Sequence, residues 1–557
     1  MKPTLDVHGM TCARCAETVE KALRCVPGVE IAEVDQPRGR GTVVTAHGVD
    51  PDQLTRSVER AGYRAEISGS NAAYEEPAEE RASVPPDADE DPCDYDLLIV
   101  GSGGAGMAAA IRASELGATA AIVEGGEVVG GTCVNVGCIP SKYLIEAAHR
   151  YHTARRGFPG ISPSEPDLNW TEILRQKEAI VEDLRREKYL DVLHAYKGVS
   201  LLRGRAELLG RGRVRVGERV VRASKIVLAT GTRPAMPPIP GLEEAGALDS
   251  TTVMELDRLP GSMIVIGGGA IGLELGQAFH RFGVRVTVLE AMDRLLPTED
   301  PDASETLQRA LEAEGMEIRT GVKVTRVACG DHGCTVFAES GLEFVAERLL
   351  VATGRRPNTE GLGLETAGVR TTERGFIETD ALMRTSVPDI FAAGDVTGGP
   401  GYVYVAALQG RVAAEAALAG RTGEAPSPID LTATPRVTFT DPQVASVGMT
   451  ETEARDAGFR PKATMLPAKH LARAVVSHRP DGTFKLVADA ATDRLLGVHV
   501  VSANAGDVIG EAVLAIKFGL AAQDLVATLH PYLTWGEGMK LAAQTFTSDV
   551  STLSCCA

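Results

Sequence analysis

Ten cysteines carry most of the chemistry this sequence can offer, and eight of them fall in pairs. Cys12 and Cys15 stand in "CARC", Cys133 and Cys138 in "CVNVGC", Cys329 and Cys334 in "CGDHGC", and Cys555 and Cys556 are adjacent near the end. No export signal is read ahead of "MKPTLDVHGM", so the expected compartment is a reducing cytoplasm, where paired cysteines bind metal or do redox chemistry more often than they staple a fold. The terminal pair is poorly shaped for a disulfide. Neighbouring Cα atoms lie about 3.8 Å apart, short of the roughly 4.4–6.8 Å that disulfides ordinarily span. An open dithiol suited to gripping a soft cation and an inert tail both fit these residues alone. "CGDHGC" places His332 between two thiols and can mimic a metal site, but "RVACGDHGCTVF" reads better as a β-hairpin with its cysteines as strand-end neighbours. Cys25 and Cys93 read as packing and linker residues.

The second chemical signal is a repeated glycine pattern. Gly101, Gly103 and Gly106 fit G-x-G-x-x-G, and so do Gly267, Gly269 and Gly272; an acid, Glu124 or Glu290, follows the first glycine by 23 residues in both copies. Each copy follows an apolar strand and opens a helix. That layout lets backbone approach a pyrophosphate at the helix N-terminus while the acid accepts from a ribose hydroxyl. Two dinucleotide sites in one chain imply an electron relay, with a flavin as one member. "VLATGTRP" and "VATGRRPN" follow the two copies, and Asp395 of "DIFAAGDVTG" ends a strand where it can meet a ribityl chain.

The elements around these residues divide the 557-residue chain. Residues 1–67 alternate strand and helix, with Val19, Leu23 and Val26 on one helical face, as in a small α+β domain. Residues 68–93 are acidic and rich in Pro, Ala and Ser, and read as a flexible linker. The expected body is α/β: a flavin domain over 94–250 and 386–430, a nicotinamide domain over 251–385, both doubly wound, and an α+β interface domain over 431–557. A net charge of −18 argues against nucleic acid and anionic membranes as partners, and no apolar run is long enough to span a bilayer.

From residue 94 onward these motifs resemble the flavoprotein disulfide reductase family, most specifically in "GGTCVNVGCIPSK". The resemblance implies FAD held by Gly101, Gly103, Gly106, Glu124, Thr132, Lys142 and Asp395, and NADH or NADPH held by Gly267, Gly269, Gly272 and Glu290. It implies Cys133 as the interchange thiol, Cys138 as the thiol against the flavin, and Lys142 paired with Glu274. Four intervening residues at a helix start allow that pair to close as a disulfide, and the helix N-terminus favours the thiolate. Ordinary members carry His-Pro-Thr-x-x-Glu near the C-terminus. Here "HPYLTWGE" keeps His530 and Pro531 but has Tyr532 for Thr, and the acid arrives late, at Glu537. The acid–base dyad is therefore not expected in its usual form.

Tyr532, "EGMKLAAQTF" and the terminal cysteines instead resemble the mercuric reductases. That resemblance implies Hg(II) as substrate, bound by Cys133 and Cys138 between Tyr189 and Tyr532. It also implies delivery by Cys555 and Cys556 of the other subunit, hence a homodimer with shared active sites. His530 departs from this pattern too, as a relic or as a tuner of a thiolate. "GMTCARC" resembles the heavy-metal-associated domain, a ferredoxin-like α+β unit binding soft cations through Cys12 and Cys15; a thioredoxin-like redox pair or copper delivery are the alternatives for that segment alone. Small thiols carrying Hg(II), and a mercury-transport protein, are the implied donors. Glu290 favours NADH by repelling a 2′-phosphate, whereas Arg285 and Arg294 nearby in sequence can accommodate NADPH. Two rival functions stay open: a disulfide reductase like dihydrolipoamide dehydrogenase, and a metal-sequestering flavoprotein.

Overall fold

The computed structural model describes residues 3–8, 19–20, 22–24, 26, 29–35, 40–45, 51–61, 63–70, 93–330, 333–422 and 425–549. Cys12, Cys15, Cys25, Cys555 and Cys556 lie outside them. The chain divides into two units, residues 1–90 and 91–557.

In the first unit the strands Val29–Asp35, Arg40–Thr45, Pro3–His8 and Arg64–Ser70 lie side by side in that order, all antiparallel. The helix Pro51–Arg60 covers them. Val19, Leu23 and Val26 are buried together with Leu5, Leu54 and Val58, as their spacing predicts. The last strand runs to Ser70, three residues beyond the expected end of the domain, because its pairing with the first strand continues to Pro3.

The second unit opens with a parallel sheet in the order Val199–Arg203, Ala120–Glu124, Tyr95–Val100, Arg219–Leu228, Ile390–Ala392. Its strands Tyr95–Val100 and Ala120–Glu124 are mostly buried and apolar, as strands of a parallel sheet are when both faces are covered. The helices Gly104–Glu115 and Val403–Ala417 meet through alanine and glycine. A Cβ on Gly410 would lie 2.0 Å from the Ala105 carbonyl oxygen, so this pair can approach closely only there as glycine. A second parallel sheet, Glu317–Arg319, Arg285–Leu289, Ser262–Ile266, Arg348–Val351, forms the nicotinamide-type domain, with the antiparallel strands Val324–Gly330, Gly333–Ala338 and Glu343–Ala346 beside it. Cys329 faces Cys334 across the expected hairpin.

One boundary differs from expectation by about thirty residues. Arg355–Pro357 pairs antiparallel with Thr232–Pro234, and Leu362, Leu364, Val369 and Ile377 bury against Leu208, Val214 and Val221. The flavin-type domain therefore resumes at Arg355, not at 386, because these apolar side chains complete its core. The chain ends in a five-stranded antiparallel sheet, Arg436–Thr438, Gln443–Gly448, Leu495–Ser502, Thr483–Asp489, Pro461–Pro467, covered by helices Ala505–Lys517 and Glu537–Gln544.

Phe279 links the first two domains of this unit. It is 1% exposed, lies 6.0 Å centroid to centroid from Trp170, and sits in one core with Leu144 of the helix that Cys138 begins. Phe279→Ala should cost about 3–5 kcal/mol, seen as a lowered unfolding temperature of the second unit in thermal denaturation.

Candidate active site

Both glycine loops turn under an "ATG" segment. Gly101 has φ +109, and a Cβ there would lie 2.3 Å from the Ala229 carbonyl oxygen; Gly267 has φ +111 and 2.6 Å to that of Ala352. Only glycine meets both the conformation and the approach. Gly106 and Gly272 lie beneath, where a Cβ would come 1.9 and 2.2 Å from the carbonyl oxygens of Gly101 and Gly267. The helices Gly104–Glu115 and Ala270–Arg281 start behind Gly103 and Gly269 with no side-chain cap and no acid in the first turn. Their first N–H groups are left to an anion. Each acid folds back on its own loop. Glu124 accepts from Ser102 Oγ and, at 2.7 Å, from the Gly126 N–H. Glu290, 7% exposed, accepts from the N–H groups of Gly268 at 2.6 Å and Met292 at 2.7 Å.

The first loop borders a cavity of about 870 Å³ that gathers Gly101, Gly103, Glu124, Thr132, Cys133, Cys138 and Asp395. The buried Thr230 hydroxyl on its wall has no hydrogen-bond partner among the described residues. A cleft with an open helix N-terminus, an acid for a ribose, an orphan hydroxyl and two thiols fits a flavin dinucleotide. The second loop borders a cavity of about 570 Å³ with Gly267, Gly269, Glu290 and Arg355, which fits a nicotinamide dinucleotide. Arg355 joins the two. It donates to Thr232 Oγ1 and to the Thr232 carbonyl oxygen, each at 2.8 Å, and Thr232 Oγ1 donates to Asp395 at 3.0 Å. Sequence reasoning missed Thr232 and Arg355 as site residues; the doubled "ATG-x-R-P" pattern was the available signal.

Cys133 lies on the short helix Gly131–Asn135, and Cys138 begins the helix Cys138–Arg156. Both are free thiols. The two thiols act on each other. With help from Lys142 and the N–H of Cys138 itself, the neighbouring Cys133 thiol outweighs burial and lowers Cys138 to about 7, while Cys138, with burial, holds Cys133 well above the ordinary thiol range. One turn on, Lys142 Nζ lies 2.6 Å from Glu274 and 4.6 Å from the centre of the Phe439 ring, and Glu274 also accepts from the Phe439 N–H at 2.8 Å. Lys142 is not on the cavity wall itself.

Tyr189 sits on a π-helical turn, Arg186–Leu190, that continues the helix Trp170–Arg185. The wider turn redirects the side chain, as such insertions often do at functional sites. Its ring covers Gly130, where a Cβ would lie 3.5 Å from Cδ2. Burial, reinforced by the two thiols, raises its phenol to about 12. Arg185 pins this helix to the redox loop by donating at 2.8 Å to Asn135, which holds the Val129 and Gly131 carbonyls at 2.9 Å. Asn135 and Arg185 carry no signal in the sequence. Tyr404 was missed as well: it stacks on Tyr402 at 5.3 Å between ring centres, donates to the Pro435 carbonyl at 2.5 Å, and burial raises its phenol.

The C-terminal segment behaves differently. Tyr532 is 54% exposed, on a surface that also exposes Phe518 and Leu529 at 68% and 94%. His530 Nε2 lies 2.7 Å from Glu511 and Nδ1 lies 3.0 Å from the Thr528 carbonyl, so both ring nitrogens are engaged within the chain. Glu537 is buried and accepts instead from the Leu533 N–H at 3.3 Å. The expected partner acid is replaced by Glu511, which helix packing brings in from earlier in the chain. Of the two arginines that might serve a 2′-phosphate, Arg285 opens the strand whose far end precedes Glu290, and Arg294 is committed to the Pro297 carbonyl at 2.9 Å. Among the described residues no helix is long and apolar enough to cross a membrane.

Comparison with known proteins agrees with this geometry. Residues 95–410 match the pyridine nucleotide-disulphide oxidoreductase family, 434–543 its dimerisation domain, and 4–64 the heavy-metal-associated domain. A mercuric reductase of Staphylococcus aureus is 42% identical over 99% of this chain and 98% of its own, and one of Streptomyces lividans 44% identical over 83% of this chain and 98% of its own. Among solved structures, the copper(II) complex of the HOCl-induced flavoprotein disulfide reductase RclA from Escherichia coli superposes with TM-score 0.73 at 29% identity, covering 82% of this chain and 99% of that one. LpdA from Mycobacterium tuberculosis gives TM-score 0.72 at 28% identity, covering 81% and 99%. The family implies FAD and NAD(P)H, and the dimerisation domain indicates a homodimer.

The titration of Cys138 tests the thiol pair. Replacing Cys133 with Ala removes the leading cause of the lowered value, so the Cys138 thiolate should be lost at a higher pH than the wild-type midpoint of about 7. Lys142→Met should raise it by less. Thiolate absorbance in the ultraviolet, followed against pH in the reduced protein, reads both.

Proposed function

The chain belongs to the mercuric reductases of the pyridine nucleotide-disulphide oxidoreductase family, and on that premise we propose that it reduces thiol-bound Hg(II) to Hg(0) at the Cys133–Cys138 pair. The observation that carries the reading is the pair of free thiols on the wall of the flavin-type cavity, beside Tyr189. FAD would be held in the first cavity by the loop at Gly101 and Gly103 with Glu124 and Asp395, and a nicotinamide in the second by Gly267, Gly269 and Glu290; together they would supply the two electrons of the reduction.

The rest is work for the side chains. Hg(II) arrives carried by small thiols, or from a mercury-transport protein through Cys12 and Cys15. Cys555 and Cys556 of one subunit displace two carrier thiols, which leave protonated. Cys133 and Cys138 of the other subunit then displace the terminal pair in the same way. The ion is never free at any step, because each sulfur–mercury bond broken is replaced by another. Cys138 populates its thiolate near pH 7, and the proton still held on Cys133 is released as the second sulfur–mercury bond forms. Tyr189, raised to about 12, stays a neutral phenol and can donate to a sulfur that gains charge. Tyr532 of the partner subunit closes the other side. Lys142 and Glu274 hold the flavin-facing helix in place. His530, with both ring nitrogens engaged by acceptors, serves as a structural tie. The first unit collects the ion; about one-sixth of this chain has no counterpart in the Streptomyces relative, which fits an accessory part.

For the electron donor, the fixed carboxylate of Glu290, the placement of Arg285 at the far end of the strand that precedes it and the bond of Arg294 to the Pro297 carbonyl support NADH as the better substrate. Steady-state kinetics should give a higher kcat/KM for NADH than for NADPH; the reverse order would overturn this part of the reading. The reaction itself is tested by NAD(P)H oxidation with Hg(II) in excess thiol, against glutathione disulfide and dihydrolipoamide–lipoamide controls. Turnover with mercury and little with the disulfides is expected. Replacing Cys555 and Cys556 with Ala should lower turnover of thiol-bound Hg(II) by about tenfold or more, as when a tethered donor is lost.

A further inference from the structure

The Cys329–Cys334 pair has no part in the reaction above. The two residues are directly opposed across the hairpin, with Gly330 opposite Gly333, and are closed as a disulfide. Cys334 is 6% exposed and packs in the core with Leu242, Ile264 and Val336, whereas Cys329 is exposed. One sulfur is thus anchored and the other faces solvent, where a soluble thiolate can reach it. Neither cysteine lines a nucleotide cavity. In a reducing compartment such a bridge is expected to open and close with the thiol pool.

We propose that the reduced Cys329–Cys334 pair is a second soft-cation site, closed when oxidised and separate from the reductase centre. The two Cα atoms lie 4.0 Å apart, close enough for both sulfurs, once released from each other, to reach one ion; two metal–sulfur bonds of about 2.3 Å set the separation to which the sulfurs must open. Cys329 and Cys334 bring two sulfurs to the site, and among the described residues no group of three or more His, Cys, Asp or Glu is placed to hold an ion. Two thiolates suit a soft, two-coordinate ion such as Hg(II). Opening consumes two small-molecule thiols: one attacks the exposed Cys329 sulfur and releases Cys334 as a thiol, and the second releases Cys329, leaving the two carriers joined as their disulfide. Loading then exchanges two carrier thiolates on the metal for Cys329 and Cys334, and both carriers leave as thiols.

The test uses the full-length holoenzyme, wild type and the double substitution Cys329→Ala, Cys334→Ala, with Hg(II) bis-thiolate as the probe. After treatment with excess small thiol, loading and desalting, the wild type should retain one more mercury per chain than the variant by elemental analysis. Without thiol treatment the two should retain the same amount. Alkylation and peptide mass analysis of the wild type alone should find Cys329 and Cys334 blocked as isolated, labelled after reduction, and protected again after mercury loading. Equal mercury content after reduction, or labelling undiminished by loading, overturns the proposal. Because mercury-dependent turnover is measured separately and should be unchanged in the variant, failure here leaves the reductase reading intact, and the reverse holds as well.

Discussion

The pairing of the Cys133 and Cys138 thiols, at the first turn of the helix Cys138–Arg156, is the interaction on which the rest of the site depends. It favours the thiolate on one sulfur near neutrality while the other stays protonated. Such a pairing tolerates little error in position, and the helix behind it is held by charge along its length. Lys142 meets Glu274, and His149 meets both Asp441 and Arg281 at 3.2 Å. Arg281 in turn holds Glu314 with two bonds, at 2.6 and 2.8 Å, and Asp441 at 3.0 Å, while Arg479 also pairs with Asp441.

This ladder joins a flavin-domain helix, a nicotinamide-domain helix and the loop that opens the interface domain. Buried ion pairs add little net stability, since desolvation offsets most of the attraction, but breaking one leaves a costly unpaired charge. Their effect is to penalise every other arrangement of the three parts. His149 shows the cost directly: burial, then the neighbouring guanidinium groups of Arg281 and Arg479, push its pKa down, so it sits neutral beside Asp441. The backbone adds direction, because Gln277 accepts from the Asp441 N–H at 2.7 Å and donates to its carbonyl at 2.8 Å.

The two nucleotide loops use one backbone solution twice and diverge only in what surrounds it. Both glycine turns close under an "ATG" segment and both acids are consumed partly by their own loops. The thiols, Tyr189 and Asn135 belong to the first site because the redox helix and the π-turn pack there. Arg355, Thr232 and Asp395 then tie the two sites together, since the chain returns to the flavin domain at Arg355. That early return was not legible from residue patterns. "ATGRRPN" reads as the end of a nucleotide domain, and only the burial of Leu362, Leu364 and Ile377 against the flavin-type sheet assigns the following segment.

Local chemistry was written in the sequence: the glycine loops with their acids, the spacing of Cys133 and Cys138, the apolar face of Val19, Leu23 and Val26, and the hairpin between Cys329 and Cys334. These depend on neighbours within a few turns of chain, where φ, helical period and strand alternation decide the outcome. The partnerships that tune the site were decided by tertiary packing. Glu274 reaches Lys142 across 132 residues, Arg185 reaches Asn135 across 50, and His530 finds Glu511 on a packed helix when Glu537 is drawn inward instead. Which charge faces which is set by where helices land against sheets, and that is a property of the folded core, not of spacing along the chain.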